Sequence, residues 1–436
     1  MVLQFAYFFM FRFFYELIVI ILMPLILARL YVRGYKAPAY RKRIKERLGL
    51  YSFPKHFKSE KTTIWVHAVS VGEVFAAQPL IHELKRLHPD YQIFITTMTP
   101  TGSEQVRRLF AEQVFHSYLP YDSSLMLFRF IRRMEPKLLI IMETELWPNL
   151  INMTGTLGGK ILLANARLSE KSAKSYSRFS SMTMKVLEQI DVIGAQSESD
   201  SERLIKLGAK LERIVVTGSL KYYMNIMDED KESDSLFNEL KASSRPIIIA
   251  ASTREGEEAK LLVAIKSVLE KFPSVLFIVV PRHPERFDSV FSNLKKSGLI
   301  CARRSSVSNL NDDIQVLIGD SLGEMISYYS VAKIAFVGGS LVNTGCHNVL
   351  EPAALSLPIL AGPSQYNFAQ ICERLEKAGG LLTIRNENEL AEKIVDLLEH
   401  KSKRSRMGRI AKEEVLANQK ALPSLIKIIE EELSIN

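Results

Sequence analysis

Residues 62–80 read TTIWVHAVSVGEVFAAQPL, and this stretch indicates which kind of fold the chain has. The apolar run Thr63–Val69 predicts a buried strand, which the turn Ser70–Glu73 ends. From Val74 onward, apolar residues recur at helical spacing. A strand, a glycine-containing turn and a helix begin a βα unit, in which ligands usually bind at the carboxyl end of the strand.

Glu73 is predicted to lie in the first turn of that helix, where backbone N–H groups and the helix dipole favour a carboxylate. An isolated glutamate in this place is more often only a helix cap than a catalytic group. The same surroundings should lower its pKa and make it a weak base unless a neighbouring acid opposes the shift. Glu73 is therefore a candidate base only in the company of other acids.

Strand-like and helix-like stretches alternate in two separate parts of the chain, which is typical of parallel sheets with helices on both faces. In the first part the predicted strands are Thr63–Val69, Gln92–Thr97, Val114–Leu119, Lys137–Met142, Lys160–Asn165, Val192–Ala195 and Ile214–Thr217. In the second part they are Pro246–Ala251, Val275–Val280, Ile314–Ile318, Ile334–Val337, Pro358–Leu360 and Leu381–Thr383. We predict an α/β chain with two Rossmann-like domains and a cleft between them.

Composition divides the 436 residues into five segments. Residues 1–50 are a predicted membrane anchor followed by a basic stretch. Residues 51–222 form the first domain, the acidic and polar residues 223–240 a linker, and residues 241–403 the second domain. Residues 404–436 are helical by composition and are predicted to pack back towards the first domain.

The amino-terminal segment Phe5–Leu30 is almost wholly apolar, and it contains Arg12, Glu16 and Pro24. About 20 apolar residues suffice to span a bilayer, so the segment either spans it or lies tilted in one leaflet. Arg12 and Glu16 stand four residues apart and can partly neutralise each other on one helix face. A cleaved signal peptide fits poorly, because a charged start and a small-residue cleavage site are both missing.

Residues 29–50 carry eight Lys or Arg side chains and one acid, a net charge of +7 out of the +9 of the whole chain. Basic residues beside an apolar segment stay on the cytoplasmic side of a membrane. They also attract anionic lipid headgroups by about 1 kcal/mol each. We therefore predict a cytoplasmic body held at a membrane. A nucleic-acid-binding protein is not favoured, because the charge is concentrated beside the anchor.

An acidic turn follows the apolar strand that ends at Met142. Its sequence, ETELWPN (143–149), places Glu143 and Glu145 just past the carboxyl end of that strand. Two acids this close together are a weak signal by themselves. If Glu143 and Glu73 line the same cleft, their repulsion raises one of the two pKa values towards that of a useful proton acceptor.

Two further turns point to anion binding. PRHPER (281–286) follows a buried strand, and its Arg282 and His283 suit a fixed loop that contacts a phosphate or carboxylate, although a solvated basic turn explains them equally well. GGS (338–340) follows another strand and allows close backbone approach to a ligand. Asn348 is predicted to cap a helix whose N–H groups favour anions, and Glu351 to accept hydrogen bonds from sugar hydroxyls.

The three cysteines, Cys301, Cys346 and Cys372, show no CxxC spacing, and no metal-ligand cluster is recognisable. We therefore predict reduced thiols, no metal and no cofactor. His347 alone is more often a hydrogen-bonding residue than a ligand.

Five motifs in order resemble those of the 3-deoxy-D-manno-octulosonic acid (Kdo) transferases. They are HAVSVGE (67–73), METELWPN (142–149), RHPER (282–286), DSLGEM (320–325) and CHNVLEPA (346–353), the last with Cys346 in place of glycine. The resemblance implies the GT-B glycosyltransferase fold, with acceptor binding in the first domain and the nucleotide sugar in the second. It also implies CMP-Kdo as donor, the lipid A precursor lipid IVA as acceptor and a place at the cytoplasmic face of a Gram-negative inner membrane.

The same resemblance implies residue roles in an inverting transfer. Glu73 matches the proton acceptor, and Glu143 and Lys221 match positions that stabilise the transition state. The CMP-binding segments match Pro281, Arg282, Leu322, Gly323, Glu324, Asn348, Val349, Leu350 and Glu351. Additional candidates near these positions are Ser70, Gly72, Glu145, His283, Gly339 and Ser340.

Three alternatives remain at this point. Another GT-B nucleotide-sugar enzyme at the membrane, either a transferase or an epimerase, would share the two-domain layout. A non-enzymatic membrane scaffold would not need Glu73. A nucleic-acid-binding module would need basic and aromatic residues spread over the soluble surface.

Overall fold

A computed structural model describes the backbone of residues 2–223, 235–307 and 310–434. Side chains are described for residues 13–35 and, within those ranges, from residue 37 onward. The chain divides into two compact units, Met1–Tyr223 with Gln419–Asn436 and Met224–Asn418. Residues 224–234 of the predicted linker lie outside the described residues.

The first unit contains a seven-stranded sheet in which the strands pair in parallel. Its strands are β1 (Thr63–His67), β2 (Gln92–Thr97), β3 (Phe115–Tyr118), β4 (Pro136–Met142), β5 (Lys160–Ala166), β6 (Val192–Ala195) and β7 (Ile214–Val216). All seven lie where the sequence predicts strands. Their order in the sheet is β3-β2-β1-β4-β5-β6-β7.

The helices of the first unit cover both faces of this sheet. Along the chain they are α1 (Val2–Lys36), α2 (Ile44–Arg47), α3 (Val71–Leu87), α4 (Pro100–Phe110), α5 (Ser124–Met134), α6 (Pro148–Thr156), α7 (Glu170–Ser177), α8 (Ser180–Leu187) and α9 (Glu198–Lys206). In β1, Ile64 and Val66 pack in the core on one face and Trp65 in the core on the other. A strand buried on both faces reads as one continuous apolar run, which is why β1 was recognisable.

The chain reverses direction across the sheet between β1 and β4. It runs from β1 outward to β2 and β3, then returns to the other side of β1 with β4. The crevice at such a point, outside the carboxyl ends of the strands, is the usual ligand site of open α/β sheets. Glu73 follows β1 and Glu143 follows β4, so both acids belong to this point.

The second unit repeats the plan. Its strands are β8 (Ile247–Thr253), β9 (Leu276–Pro281), β10 (Cys301–Arg303), β11 (Val316–Ile318), β12 (Ile334–Val337), β13 (Ile359–Ala361) and β14 (Leu381–Thr383). They pair in parallel in the order β10-β11-β9-β8-β12-β13-β14. Six of them are predicted by the sequence, and β10 is not. The chain changes direction across this sheet between β8 and β12. It runs from β8 to β9 and the strands beyond it, then returns to the other side of β8 with β12.

The helices of the second unit begin inside the predicted linker. They are α10 (Ser235–Ala242), α11 (Glu257–Lys271), α12 (Phe287–Lys296), α13 (Met325–Val331), α14 (Leu350–Ala354), α15 (Ala369–Ala378), α16 (Glu387–Glu399) and α17 (Lys401–Ala417). The linker was predicted to extend to residue 240, but Leu236, Phe237 and Leu240 of α10 are buried in the core of this unit. Three apolar residues at helical spacing are enough to hold the short helix on the sheet.

The carboxyl-terminal stretch is split between the two units. Helix α17 belongs to the second unit, whereas α18 (Ala421–Ser434) belongs to the first. Leu422, Leu425 and Ile429 of α18 are buried in the same core cluster as Leu80 of α3. The chain therefore returns to the unit in which it began.

Helix α1 contains one stretch, Phe13–Tyr35, that is long and apolar enough to cross a membrane by length and composition. The side chain of Arg12, the predicted partner of Glu16, lies outside the described residues. The Glu16 carboxylate accepts hydrogen bonds from Ser123, Ser124 and Asn149 of the first unit.

Candidate active site

Glu73 lies in the first turn of α3, just after the turn that follows β1, and is buried. Its Oε2 accepts a hydrogen bond of 2.7 Å from the Val69 N–H, and its Oε1 accepts one of 2.8 Å from the Ser70 hydroxyl. Gly72 beside it is exposed. Glu73 thus caps the entry to its helix and holds a carboxylate at the carboxyl end of β1, so the two interpretations of this residue do not exclude each other.

Burial raises the pKa of Glu73 to about 7. The hydrogen bonds from Val69 and Ser70 lower that pKa, while the charges of Glu145 and Glu143 raise it further. The expectation that acidic neighbours oppose the lowering has the right direction, but burial is the larger cause. A carboxylate with a pKa near 7 is matched to proton abstraction at neutral pH.

Glu143 directly follows β4 and has a φ of +57°, in the left-handed region that non-glycine residues rarely adopt. Its N–H donates to the Ala164 carbonyl, which fixes the turn to the edge of the sheet. Its Oε1 lies 3.7 Å from Nζ of Lys221, which follows β7. Strained backbone of this kind clusters at functional sites.

Glu145 is the second acid of this turn. The Trp147 indole N–H donates a hydrogen bond of 3.0 Å to its Oε2, and burial raises its pKa. Glu73, Glu143, Glu145 and Lys221 thus lie near one another at the carboxyl edge of the first sheet, and their roles stay a prediction.

A buried aspartate supports the end of this turn and was not predicted. Asp122 accepts hydrogen bonds from the N–H groups of Asn149 and Leu150, at the start of α6. Burial raises the pKa of Asp122 to about 6. Nothing in the local sequence marks it, because its partners lie more than 25 residues away.

Basic side chains gather at the carboxyl edge of the second sheet. Pro281 ends β9, and exposed Arg282 donates its N–H to the Thr253 carbonyl at the end of β8. Arg254 follows β8, and its Nε donates a hydrogen bond of 3.1 Å to Nε2 of His347. Its guanidinium also contacts Nε2 of His283.

His347 is held neutral by this environment. Burial lowers its pKa to about 4, and the charges of Arg282 and Arg254 lower it further. Its Nε2 can therefore accept the hydrogen bond from Arg254. Arg254 was not predicted, although the rule that singled out Arg282, a position just past a strand, applies to it equally.

The backbone N–H groups of the Gly-Gly-Ser turn after β12 already have a partner within the second unit. The N–H groups of Gly339, Ser340 and Leu341 donate to the carboxylate of buried Glu257 at 2.7–3.2 Å. The Ser340 hydroxyl donates to the Val337 carbonyl. These contacts give Gly339 and Ser340 a structural role. That either residue contacts a substrate stays a prediction.

Helix α14 begins at Leu350, one residue later than predicted, and is five residues long. Asn348 Oδ1 accepts the Leu350 N–H at 3.0 Å, and its Nδ2 donates to Oε1 of Glu351 at 3.0 Å. The side chains of Val349 and Leu350 are buried in the unit. Their backbone atoms are what they can offer a nucleotide.

The 322–324 turn follows β11, the strand beside β9. Leu322 is exposed, and Gly323 has a φ of +81°. The carboxylate of Glu324 accepts two hydrogen bonds of 3.1 Å from the Arg304 guanidinium. The described contacts of this turn thus join it to Arg304 and not to the Arg254 group. Over the described ranges, no cluster of three or more His, Cys, Asp or Glu side chains is placed to hold a metal ion.

Two family models match the chain, one over most of the first unit and the other over the later part of the second. Residues 42–224 match the family described as 3-deoxy-D-manno-octulosonic-acid transferase (kdotransferase). Residues 293–414 match the family described as glycosyl transferases group 1.

Curated relatives extend the first match over the whole chain. The 3-deoxy-D-manno-octulosonic acid transferase of Haemophilus influenzae is 40% identical over 98% of this chain and 100% of its own length. That of Bordetella pertussis is 35% identical over 80% of this chain and 82% of its own length.

Among solved structures, UDP-GlcNAc 2-epimerase from Neisseria meningitidis, bound to UDP-GlcNAc, aligns with a TM-score of 0.58. The alignment covers 86% of this chain and 100% of that one at 15% identity, so the likeness concerns the fold alone. Together with two seven-stranded parallel sheets, it identifies the GT-B fold.

Proposed function

The chain belongs to the 3-deoxy-D-manno-octulosonic acid transferase family, and we propose that it moves Kdo from CMP-Kdo to lipid IVA with inversion, using Glu73 as the proton acceptor. As a member of this family it is a glycosyltransferase of lipopolysaccharide biosynthesis that transfers Kdo. The donor, the acceptor, the stereochemical course and the residue roles are the parts we propose. The proposal needs no metal and no cofactor.

In the proposed reaction, Glu73 takes the proton from an acceptor sugar hydroxyl as its oxygen attacks the anomeric carbon of Kdo. The bond from that carbon to the CMP phosphate oxygen breaks on the opposite face, and CMP leaves with the electron pair. An oxocarbenium-like centre develops between the two, as in glycoside chemistry generally. The observation that carries this assignment is a buried carboxylate at the carboxyl end of β1 whose pKa is about 7.

Lys221 and Glu143 are proposed to stabilise the transition state together. The ammonium group suits the carboxylate of Kdo or the leaving phosphate, and the carboxylate suits the positive charge at the anomeric centre. Nζ of Lys221 and Oε1 of Glu143 lie 3.7 Å apart, so both charges are present at the same place.

On the donor side, Arg282 is proposed to bind the CMP phosphate, because a guanidinium recognises phosphate through paired hydrogen bonds. Glu351, held by Asn348, is proposed to accept hydrogen bonds from the ribose. The remaining predicted CMP contacts, Leu322, Gly323 and Glu324, stay part of this proposal.

The protein is further proposed to sit at the cytoplasmic face of the inner membrane, where the basic stretch attracts acidic lipid. Part of that stretch is used within the first unit instead, because Arg43 pairs with Glu46, and Arg47 is buried and donates to the Met98 carbonyl. Exposed side chains such as Lys42 and Lys45 are therefore the ones proposed to attract acidic lipid. Replacing these two with Gln should raise the KM for lipid acceptor without changing the KM for donor.

The decisive test is Glu73→Gln, assayed by mass spectrometry of the lipid product formed from CMP-Kdo. We expect kcat to fall by about 10²- to 10⁴-fold, the usual contribution of general base catalysis, while CMP binding and thermal stability are kept. Ser70→Ala is the matched control, since it removes one hydrogen bond but keeps the carboxylate. Wild-type turnover by Glu73→Gln would contradict the proposed base.

Donor competition separates the proposal from another nucleotide-sugar enzyme of the same fold. CMP should inhibit competitively with CMP-Kdo, and UDP should not. Inhibition by UDP and not by CMP would favour the alternative.

A further inference from the structure

Helix α1 is apolar, but it is not detached from the first unit. Met23 and Leu30 are buried against Tyr121, and Val19 and Ile26 pack on the same cluster. These positions recur every three to four residues, so one face of the helix is in contact with the protein from Val19 to Leu30. The opposite face is exposed.

Polar contacts fix the amino-terminal end of that face. The Tyr15 hydroxyl donates a 2.9 Å hydrogen bond to Oδ2 of Asp122. The Glu16 carboxylate accepts hydrogen bonds of 2.6–3.1 Å from the Ser123 hydroxyl and from the hydroxyl and N–H of Ser124. The residues of this Glu16 junction are Tyr15, Glu16, Asp122, Ser123, Ser124 and Asn149, whose Nδ2 donates to Glu16 at 2.8 Å.

These contacts are incompatible with a bilayer crossing by the same residues. From Tyr15 to Leu30 the helix rises about 22 Å, most of the roughly 30 Å of a hydrocarbon core. The segments that contact it include Met98 and residues 121–123, which lie outside helices and strands. Irregular backbone exposed to lipid does not occur inside the hydrocarbon region, so a helix that keeps these contacts can immerse its outer face alone.

The apolar outer face continues onto neighbouring helices. Leu125 and Phe128 of α5 are exposed directly beside the Glu16 junction, and α1 also contacts α8, before which Phe179 is exposed. Basic side chains accompany them: Arg129 and Arg132 on α5 are exposed, as is Arg178 next to Phe179. Apolar residues flanked by arginines are typical of a surface that lies in the interface of an anionic leaflet.

We propose that α1 lies along one leaflet instead of crossing the bilayer, and that its outer face forms, with Leu125, Phe128 and Phe179, one surface that docks on an anionic leaflet. The inference rests on the proposed membrane attachment and replaces its single-pass alternative. The acceptor lipid would then be taken from the leaflet in which the helix lies.

Depth-dependent fluorescence quenching tests the orientation. Phe13, Leu25 and Val32 are 66%, 66% and 68% exposed, so a cysteine at each position reports the outer face under matched conditions. In a Cys301→Ser background, each variant of the full chain is labelled with a thiol-reactive fluorophore and bound to phosphatidylethanolamine–phosphatidylglycerol vesicles carrying shallow or deep lipid quenchers. Glu285→Cys, on the second unit, is the water-exposed control.

We expect the shallow quencher to act more strongly than the deep one at all three helix positions, with similar ratios, and neither to act on the control. Strong deep quenching at Leu25 with shallow quenching at Phe13 and Val32 shows a crossing helix and overturns the inference. No quenching at any position overturns the membrane attachment as well. The comparison of Kdo transfer by the unsubstituted protein and Glu73→Gln does not depend on how the helix lies, so the proposed chemistry is tested separately.

Discussion

At the scale of single residues, Glu73 has a structural part in a helix cap and a proposed part in the reaction. Its two hydrogen bonds, from Val69 and Ser70, belong to a helix cap and favour the ionised form. Burial has the larger effect and raises the pKa, and the charges of Glu145 and Glu143 raise it further. The base strength of Glu73 is therefore set by its surroundings and not by its position in the helix.

Glu145→Gln tests this balance. Glu73 must be ionised to act as a base, so the rate should fall as the pH drops through about 7. Removing the charge of Glu145 lowers the pKa of Glu73, so the acidic limb of the pH–rate profile should move to lower pH. The amide oxygen of the introduced glutamine would still accept the Trp147 hydrogen bond, which limits structural effects.

Glu202→Gln is the matched control, because it makes the same charge change at an exposed position of α9. Its profile should coincide with that of the unsubstituted protein. If the acidic limb of the pH–rate profile does not shift in Glu145→Gln, then Glu145 does not raise the pKa of Glu73.

Arg254 is the residue that the sequence interpretation missed on the donor side. Glu73, Glu143 and Arg282 were found because motifs surrounded them. Arg254 stands among ordinary polar residues, and its importance comes from contacts with His283 and His347, which follow other strands. Glu257 was missed for a similar reason, because three of its partners are backbone groups more than 80 residues away.

Arg254→Ala should weaken CMP binding, measured by calorimetry. Loss of a hydrogen bond to a charged group costs about 1.5–3 kcal/mol, which corresponds to at least about a tenfold higher Kd. Arg254→Lys should have a Kd for CMP between those of the unsubstituted protein and Arg254→Ala. Its charge remains, but the Nε contact to His347 is lost. A Kd unchanged in both variants would leave Arg254 with only a structural part.

At the scale of elements, the strands were the most predictable part of the chain. Thirteen of them were predicted, most from apolar runs, because parallel strands are usually buried on both faces. β10 was missed because it has three residues, lies at the edge of its sheet and ends in Arg303. The Glu16 junction was not predictable either, since it joins α1 to segments more than 100 residues away.

Glu16→Ala should lower the free energy of unfolding of the first unit. It leaves the Ser124 N–H at the start of α5 without its acceptor, so we expect a loss of about 1–3 kcal/mol. Both tryptophans, Trp65 and Trp147, belong to the first unit, so their fluorescence follows its unfolding by denaturant in detergent.

Leu17→Ala is the control for this experiment, because Leu17 is the exposed neighbour of Glu16. Its unfolding midpoint should stay close to that of the unsubstituted protein. If both substitutions have the same small effect, the Glu16 junction contributes no measurable stability.

At the scale of the whole molecule, the chain consists of two units with the same architecture. Its last residues, from Gln419 onward, belong to the first unit. Alternating strands and helices made this plan recognisable. The return of α18 to the first unit depends on Leu425, which packs so closely on β6 that a Cβ on Gly194 would lie 2.8 Å from its Cδ2. Such a fit between distant residues cannot be read from local periodicity.

Leu425→Ala should destabilise the first unit by about 2–5 kcal/mol, as usual for a fully buried leucine. The same tryptophan fluorescence measures it, and Lys427→Ala, at a solvent-exposed position of α18, is the control. Equal midpoints for the two variants would mean that α18 adds nothing to the core.

Asn149 is shared between the Glu16 junction and the turn that carries Glu143 and Glu145. If α1 lies along a leaflet as proposed, a force of the bilayer on the helix would pass through Glu16 and Asn149 to the start of α6, next to the turn that carries Glu143 and Glu145. The membrane would then be an activator as well as a location, and turnover of a water-soluble acceptor should rise when detergent is exchanged for lipid. In Glu16→Ala, where this linkage is cut, the rise should disappear.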